Sequence, residues 1–347
     1  VAGPTIADAI KHLKKEVAHA LEFDTKREAI STGSLALDRT IGIGGFPRGR
    51  ISEIHGWESS GKTTISLSAC AQAQRKNLYC AYIDPERGLD LMHAKRIGFN
   101  FEDEAKGLYI TPFSMEETFL AVYKMAEAQV PLIIVDSVPA MIPEKILKGE
   151  IDDTSAGGGG GVGLNARLLA QFLARISKTI DDSNSALVFC NQMRARIAMD
   201  RWDFGPREQA AGGSALKFYT SLRVDVSRRK EIKEERPDPD TGALIETTIG
   251  NLHRAHIVKN KVAMPFRECE FLIKYDAQKN IYGIDNLQTV IDLALEKGLI
   301  ESKGAGFFTV KADGQDYSCR GNSALYDFFL KPENVTVYKS VRGKLGI

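Results

Sequence analysis

The sequence predicts an α/β fold built on a mostly parallel sheet, and three observations carry that expectation. Short apolar runs recur at residues 51–55, 79–84, 108–111, 132–136, 186–191, 222–227 and 255–259. Helical stretches such as 64–75 and 116–128 separate the earlier runs, as a parallel sheet covered on both faces requires. The third observation is local. Gly56-Trp57-Glu58-Ser59-Ser60-Gly61-Lys62-Thr63 follows the first of these strands and precedes the helix that begins near Thr64, in the pattern GxxxxGK[ST] of a P-loop. In such a turn the glycines let the backbone curl, and N–H groups converge where a helix N-terminus adds partial positive charge. Nucleoside triphosphate binding follows, with Lys62 reaching the outer phosphates and Thr63 binding Mg2+.

Composition is compatible with such a core. The 347 residues are 43% hydrophobic, enough for one large domain with smaller appendages. Lys and Arg number 46 against 45 Asp and Glu, a formal charge of +1. No global field advertises a polyanion, so a nucleic-acid site must arise from local clustering. The five cysteines, Cys70, Cys80, Cys190, Cys269 and Cys319, form no CxxC pair, and read as buried thiols of a reducing compartment. No apolar run approaches the roughly 20 residues of a membrane span, and the first residues lack a signal-peptide pattern. A cytoplasmic protein without a membrane partner is the expectation.

In chain order, residues 5–21 place Ile6, Ile10, Leu13, Val17 and Leu21 at helical spacing, opposite Lys11, Lys14 and Lys15. The charged connector after them detaches this helix, which must cover either its own domain or a neighbouring copy. Residues 30–280 hold the alternating core, and its last strands, lacking intervening helices, are expected to form hairpins. Two long loops interrupt it. One, about 148–163, contains five consecutive glycines, 157–161; the other, about 193–213, carries Arg194, Arg196, Arg201 and Arg207 with Trp202. Loops of this length are functional or disordered. Residues 228–242 combine a charge run with Pro237-Asp238-Pro239-Asp240-Thr241-Gly242 and read as a third irregular region, a solvated hairpin tip. Residues 281–347 read as a small α+β unit: a helix at 287–297, a hairpin at 307–311 and 317–320, and a helix at 323–330.

Triphosphate hydrolysis needs a phosphate cradle, a metal site and a group that orients water. Leu132-Ile133-Ile134-Val135-Asp136 is an apolar strand ending in a carboxylate that can hold Mg2+ through water. Ile83-Asp84-Pro85-Glu86 ends another strand beside the P-loop, so Asp84 and Glu86 are both candidates for the base that polarises water. Asn191-Gln192 ends a third, immediately before the basic loop. In that loop Arg194 and Arg196 supply cations, and Ile197, Met199 and Trp202 supply apolar or flat surface, the two components that single strands need. Gly212 and Gly213 allow close approach of phosphate to backbone N–H groups. A surface loop without function remains the alternative for this stretch alone.

Ile30-Ser31-Thr32-Gly33-Ser34-Leu35, GWESSGKT at 56–63, Ile83-Asp84-Pro85-Glu86, Val135-Asp136-Ser137, Asn191-Gln192, Gly213-Ser214-Ala215-Leu216-Lys217-Phe218-Tyr219 and Val258-Lys259-Asn260-Lys261 together resemble the bacterial RecA recombinase family. The resemblance covers nearly the whole chain. It implies a RecA-type P-loop NTPase core with an N-terminal oligomerisation helix and linker (1–29) and a small C-terminal domain. It further implies an ATP- and Mg2+-dependent, DNA-dependent ATPase that forms a helical filament on single-stranded DNA and pairs it with homologous double-stranded DNA. On this resemblance Glu86 activates water, and Gln192 couples nucleotide state to DNA binding. Lys259 and Lys261 reach a neighbour's phosphates. Gly56, Glu58, Ser59, Ser60, Gly61, Lys62, Thr63 and Thr64 hold ATP, Thr63 and Asp136 hold the metal, and Asp90 and Tyr275 lie near the adenine. The long loops, with Arg167 just beyond the first, bind DNA, and Phe218 packs at the subunit interface. Arg228, Arg254 and His256 are weaker candidates for a second DNA site. Three positions depart from the family pattern: Trp57 replaces a proline, His93 an aromatic phenol, and the five-glycine run is unusual. A hexameric DNA motor or helicase of the same fold, or an ATP-gated DNA-binding scaffold without strand exchange, are the alternatives.

Overall fold

The computed structural model describes residues 28–149, 161–195, 208–210, 214–238 and 242–347. The expected helix at 5–21, most of the glycine-rich loop, and Arg196, Ile197, Met199, Arg201, Trp202, Arg207, Gly212 and Gly213 lie outside the described residues.

Two short strands open the described chain: β1 (Ala29–Ile30) pairs antiparallel with β2 (Phe46–Pro47). Between them runs α1 (Leu35–Ile41), capped by Ser34, whose side chain accepts from the Leu37 N–H, and closed by Gly42 at φ 94°. The main sheet then draws on β3 (Arg50–Gly56), β4 (Cys80–Ile83), β5 (Gly107–Ile110), β6 (Leu132–Asp136), β7 (Ala186–Ala195), β9 (Leu222–Pro237), β10 (Leu244–Asn260), β11 (Glu268–Asp276) and β12 (Ile281–Asp285). Their order is β12-β11-β10-β9-β3-β7-β6-β4-β5. From β9 through β3 to β5 every pairing is parallel, whereas β9 to β12 pair antiparallel. The expected change from parallel order to hairpins is therefore present.

Strand residues alternate between two cores. Ile54, Tyr82, Ile134 and Val188 join the cluster formed with α1 and with α2 (Lys62–Arg75) through Leu37, Ile65 and Leu67. Ile51, Ile83, Val135 and Phe189 face the opposite cluster, covered by α4 (Met115–Glu127) and α5 (Gly161–Asp182) through Val122, Leu169 and Ile176. The short α3 (Leu91–Ile97) closes the first cluster near β4 with Ala94 and Ile97. This two-sided burial is why those strands read as unbroken apolar runs.

Three expectations need correction. Residues 228–237 are not irregular; they continue β9, which pairs with β10 from Leu222 out to Pro237. The charge run hides a strand because its charges are satisfied sideways: Lys233 meets Glu246 at 3.2 Å, and Arg236 meets Asp276 at 2.6 Å. The glycine-rich loop ends earlier than expected, since α5 begins at Gly161. Glycine costs about 1 kcal/mol per helical position, but Leu169, Leu173, Ile176 and Ile180 further along the same helix are fully buried. Arg167, expected just beyond that loop, lies exposed on this helix. The second loop also has a structured base, because β7 continues to Ala195 and pairs with β8 (Glu208–Ala210), Arg194 opposite Gln209.

Past the main sheet, α7 (Leu287–Glu296), β13 (Ile300–Ser302), β14 (Phe307–Ala312), β15 (Gln315–Arg320), α8 (Asn322–Leu330) and α9 (Val335–Leu345) enclose a separate cluster around Val290, Val310 and Val341; α6 (Ala215–Tyr219) lies earlier, before β9. The basic end of the chain belongs to α9, a helix the sequence reading passed over. No helix among the described residues is long and apolar enough to cross a membrane.

Candidate nucleotide site

The P-loop leaves β3 and enters α2 with the Ser60 N–H donating within the turn to the Trp57 carbonyl at 3.3 Å. Gly61, the residue before α2, has φ 96° and no side chain to cap the helix, and the first turn contains no acidic residue. The orphan N–H groups of that turn are left for an anion. Space requires glycine at both ends of the turn. A Cβ on Gly56 would stand 2.1 Å from the Val226 carbonyl oxygen, and one on Gly61 would stand 2.6 Å from Ile273 Cδ1.

Lys62 curls back over the loop, its Nζ donating to the Trp57 carbonyl at 2.8 Å and the Gly56 carbonyl at 3.1 Å. Burial pulls its pKa below the usual lysine value. Thr63 Oγ1 donates to Asp136 Oδ2 at 2.7 Å, joining the P-loop to the end of β6. Burial pushes the Asp136 carboxyl above the usual carboxylate range, against the donors Thr63 and Tyr82. A buried carboxylate that accepts from the P-loop threonine suits a divalent cation, whose charge would offset its desolvation. The residues present fit Mg2+, which Thr63 and Asp136 would hold.

Asp84 and Glu86 differ in their partners. Asp84 is 3% exposed and accepts from the Arg87 and Leu89 N–H groups and from the Tyr109 hydroxyl, at 2.8, 3.2 and 2.9 Å. It is committed to shaping the turn after β4. Glu86 is exposed, lines the cleft with Thr63 and Asp136, and accepts from Ser137 Oγ at 3.0 Å. Asp90 caps α3 and lines the same cleft beside His93.

Opposite the P-loop stands a wall from the antiparallel strands: Asn251, His253, Ile273 and Tyr275 line a cleft of about 340 Å³ with Glu58–Thr64, Glu86 and Gln192. His253, 2% exposed, holds the P-loop directly through Nδ1 and the Ser60 carbonyl at 2.8 Å. A carbonyl only accepts, so Nδ1 carries the proton. Burial depresses the His253 pKa, which the Ser60 bond partly opposes.

The structure therefore gathers Glu58, Ser59, Ser60, Gly61, Lys62, Thr63, Thr64, Glu86, Asp90, Asp136, Gln192 and Tyr275 around one cleft. Lys259, Lys261 and Phe218 are not among its lining residues. Lys259 Nζ instead donates to the Lys217 carbonyl at 2.6 Å, next to Phe218, which is 72% exposed. Arg254, a candidate for a second DNA site, is paired with Glu268. Sequence reasoning missed Tyr82, Ser137, Asn251 and His253. Ser137 adjoins a named carboxylate, but Tyr82 and the other two are strand residues whose only signal is a polar group on an alternating apolar face.

A model of the RecA N-terminal domain matches residues 5–280 of the chain. The chain belongs to the RecA family. It is 40% identical to protein RecA of Ectopseudomonas oleovorans over 281 residues, covering 81% of this chain and 73% of that protein. Protein RecA of Leptospira meyeri is 38% identical over 307 residues, 88% of this chain and 71% of the relative. For protein RecA of Gluconacetobacter polyoxogenes the values are 41% over 281 residues, 81% and 73%. As a RecA family member the chain is an ATP-dependent recombination protein and a DNA-dependent ATPase.

Proposed function

We propose that the cleft between the P-loop and the antiparallel wall binds ATP with Mg2+, and that Glu86 is the base for its hydrolysis. The observation that carries this reading is the position of Glu86: oriented by Ser137, exposed, and lining one cleft with Thr63 and Asp136. In this account the α2 N-terminus and Lys62 hold the phosphates, Thr63 and Asp136 hold Mg2+, and Glu86 takes a proton from water as it attacks the γ-phosphorus. The metal supplies charge neutralisation on the phosphate oxygens. Asp90 and Tyr275 flank the adenine.

The finer reading extends to assembly. Lys259 and Lys261 reach a neighbouring copy's phosphates and Phe218 packs at the subunit interface, consistent with their place outside this chain's own cleft. Gln192 lies in β7 at the cleft, three residues before that strand's end, and so links nucleotide to the stretch at 193–213. That stretch, with Arg194, Arg196, Ile197, Gly212 and Gly213, and Arg167 on α5, contacts single-stranded DNA. The chain then forms a helical filament that pairs this strand with homologous duplex, residues 1–29 and 281–347 flanking the core as separate units.

ATP hydrolysis with and without single-stranded DNA, alongside strand exchange with a matched and an unmatched duplex, tests the proposal. DNA-stimulated hydrolysis with exchange only on the matched duplex is expected. Stimulated hydrolysis without homology-dependent exchange would make the chain a nucleotide-gated scaffold.

A further inference from the structure

We infer that Asn251 is a specificity-determining residue of the nucleotide site and reads a ribose hydroxyl, an inference that rests on ATP occupying the cleft as proposed above. Three observations converge on this side chain. Asn251 is 9% exposed and lines the cleft opposite the P-loop. Its Nδ2 donates to the Tyr275 hydroxyl at 3.1 Å, which pins the amide and leaves Oδ1 as its free atom. That Oδ1 is buried and has no hydrogen-bond partner among the described residues. An unpaired buried amide oxygen is costly, and a ligand donor is the natural relief at a site that binds one.

The wall's geometry says which donor. Along the inner face of β10, His253 is tied to the P-loop through Ser60, and Asn251 stands two residues before it, about 7 Å away along the strand. On β11, Ile273 lies opposite Asn251 and touches the space over Gly61, and Tyr275 follows on the same face. The wall thus reads, in order, phosphate anchor, Asn251, Tyr275. A nucleotide laid along it with phosphates in the P-loop and base at Tyr275 places its ribose beside Asn251. The ribose offers O–H donors, and Oδ1 accepts one.

Calorimetric binding of ADP, 2′-dADP and 3′-dADP, none of which is turned over, tests this with wild type and Asn251→Ala in the presence of Mg2+. Wild type is expected to bind ADP about 5- to 10-fold more tightly than one of the two deoxy analogues, the value of a single neutral hydrogen bond. Asn251→Ala loses that preference, its affinity for ADP falling to that for the same analogue. Equal wild-type affinity for all three nucleotides overturns the inference without reference to any variant, as does a preference that survives Asn251→Ala. A wild-type preference for ADP over inosine diphosphate that vanishes in Asn251→Ala assigns the residue to the base, and also overturns it. Should wild type bind none of the nucleotides, the underlying ATP site falls; should it bind them without ribose preference, only the role of Asn251 falls.

Discussion

The two halves of the main sheet build the nucleotide site in different ways. The parallel half uses its edge: the P-loop, Glu86 and Asp136 lie at or just past the C-terminal ends of β3, β4 and β6, and Gln192 lies three residues before the end of β7, near where ligands bind in open α/β sheets. The antiparallel half uses its face: Asn251, His253, Ile273 and Tyr275 are mid-strand residues at alternate positions of β10 and β11. In the proposed reading the parallel edge supplies the groups that do chemistry. The antiparallel face supplies groups that position and recognise.

The comparison is broken most severely at the edge. Lys62→Ala removes the one P-loop cation and is expected to lower ATP turnover by about 10²- to 10³-fold or more, measured as phosphate release; near-wild-type turnover would place the chemistry elsewhere. Glu86→Gln preserves shape and the Ser137 contact while removing the base. It is expected to reduce kcat by about 10²- to 10⁴-fold with ATP affinity nearly unchanged, so binding and single-turnover hydrolysis measured together separate the roles.

The seam between the halves gives the next effect. Glu53 on β3 is fully buried, paired with Arg223 on β9 and accepting from Asn191 Nδ2 at 2.8 Å. Glu53→Ala strands the partly buried arginine and is expected to cost about 3 kcal/mol of stability, read from urea unfolding. An unchanged midpoint would mean the halves are joined by packing alone.

The face is sharpened by pH. His253 has a folded-state pKa below the unfolded value of 6.5. Its burial therefore costs nothing above pH 6.5, and stability is lost as pH falls from there through the folded pKa, because the unfolded chain takes up the proton first. His253→Asn keeps a donor for Ser60 without a titrating group. The wild-type thermal midpoint is expected to fall relative to that of His253→Asn between pH 7.5 and 5.5, a small shift that scanning calorimetry resolves.

The same contrast explains what the sequence discloses. Edge residues are legible because a P-loop and strand-end carboxylates occur at turns, where a polar residue breaks an apolar run. Face residues are not, because Asn251 and His253 sit inside β10, which has exposed or half-buried residues along one side and reads as no motif. Charge likewise concealed the outer half of β9, whose strand status depends on partners such as Glu246 and Asp276 that only the fold brings near. The residues alone leave Asp84 and Glu86 level, and the family resemblance favours Glu86. Both carboxylates end the same strand, and only their hydrogen bonds show that Asp84 is occupied with the turn.

Electron microscopy of the protein with single-stranded DNA and a slowly hydrolysed ATP analogue tests most directly whether this cleft is also the joint between copies. The account predicts continuous helical filaments that require the analogue and are lost in Lys62→Ala. Closed rings, or filaments that form equally well without nucleotide, would contradict it.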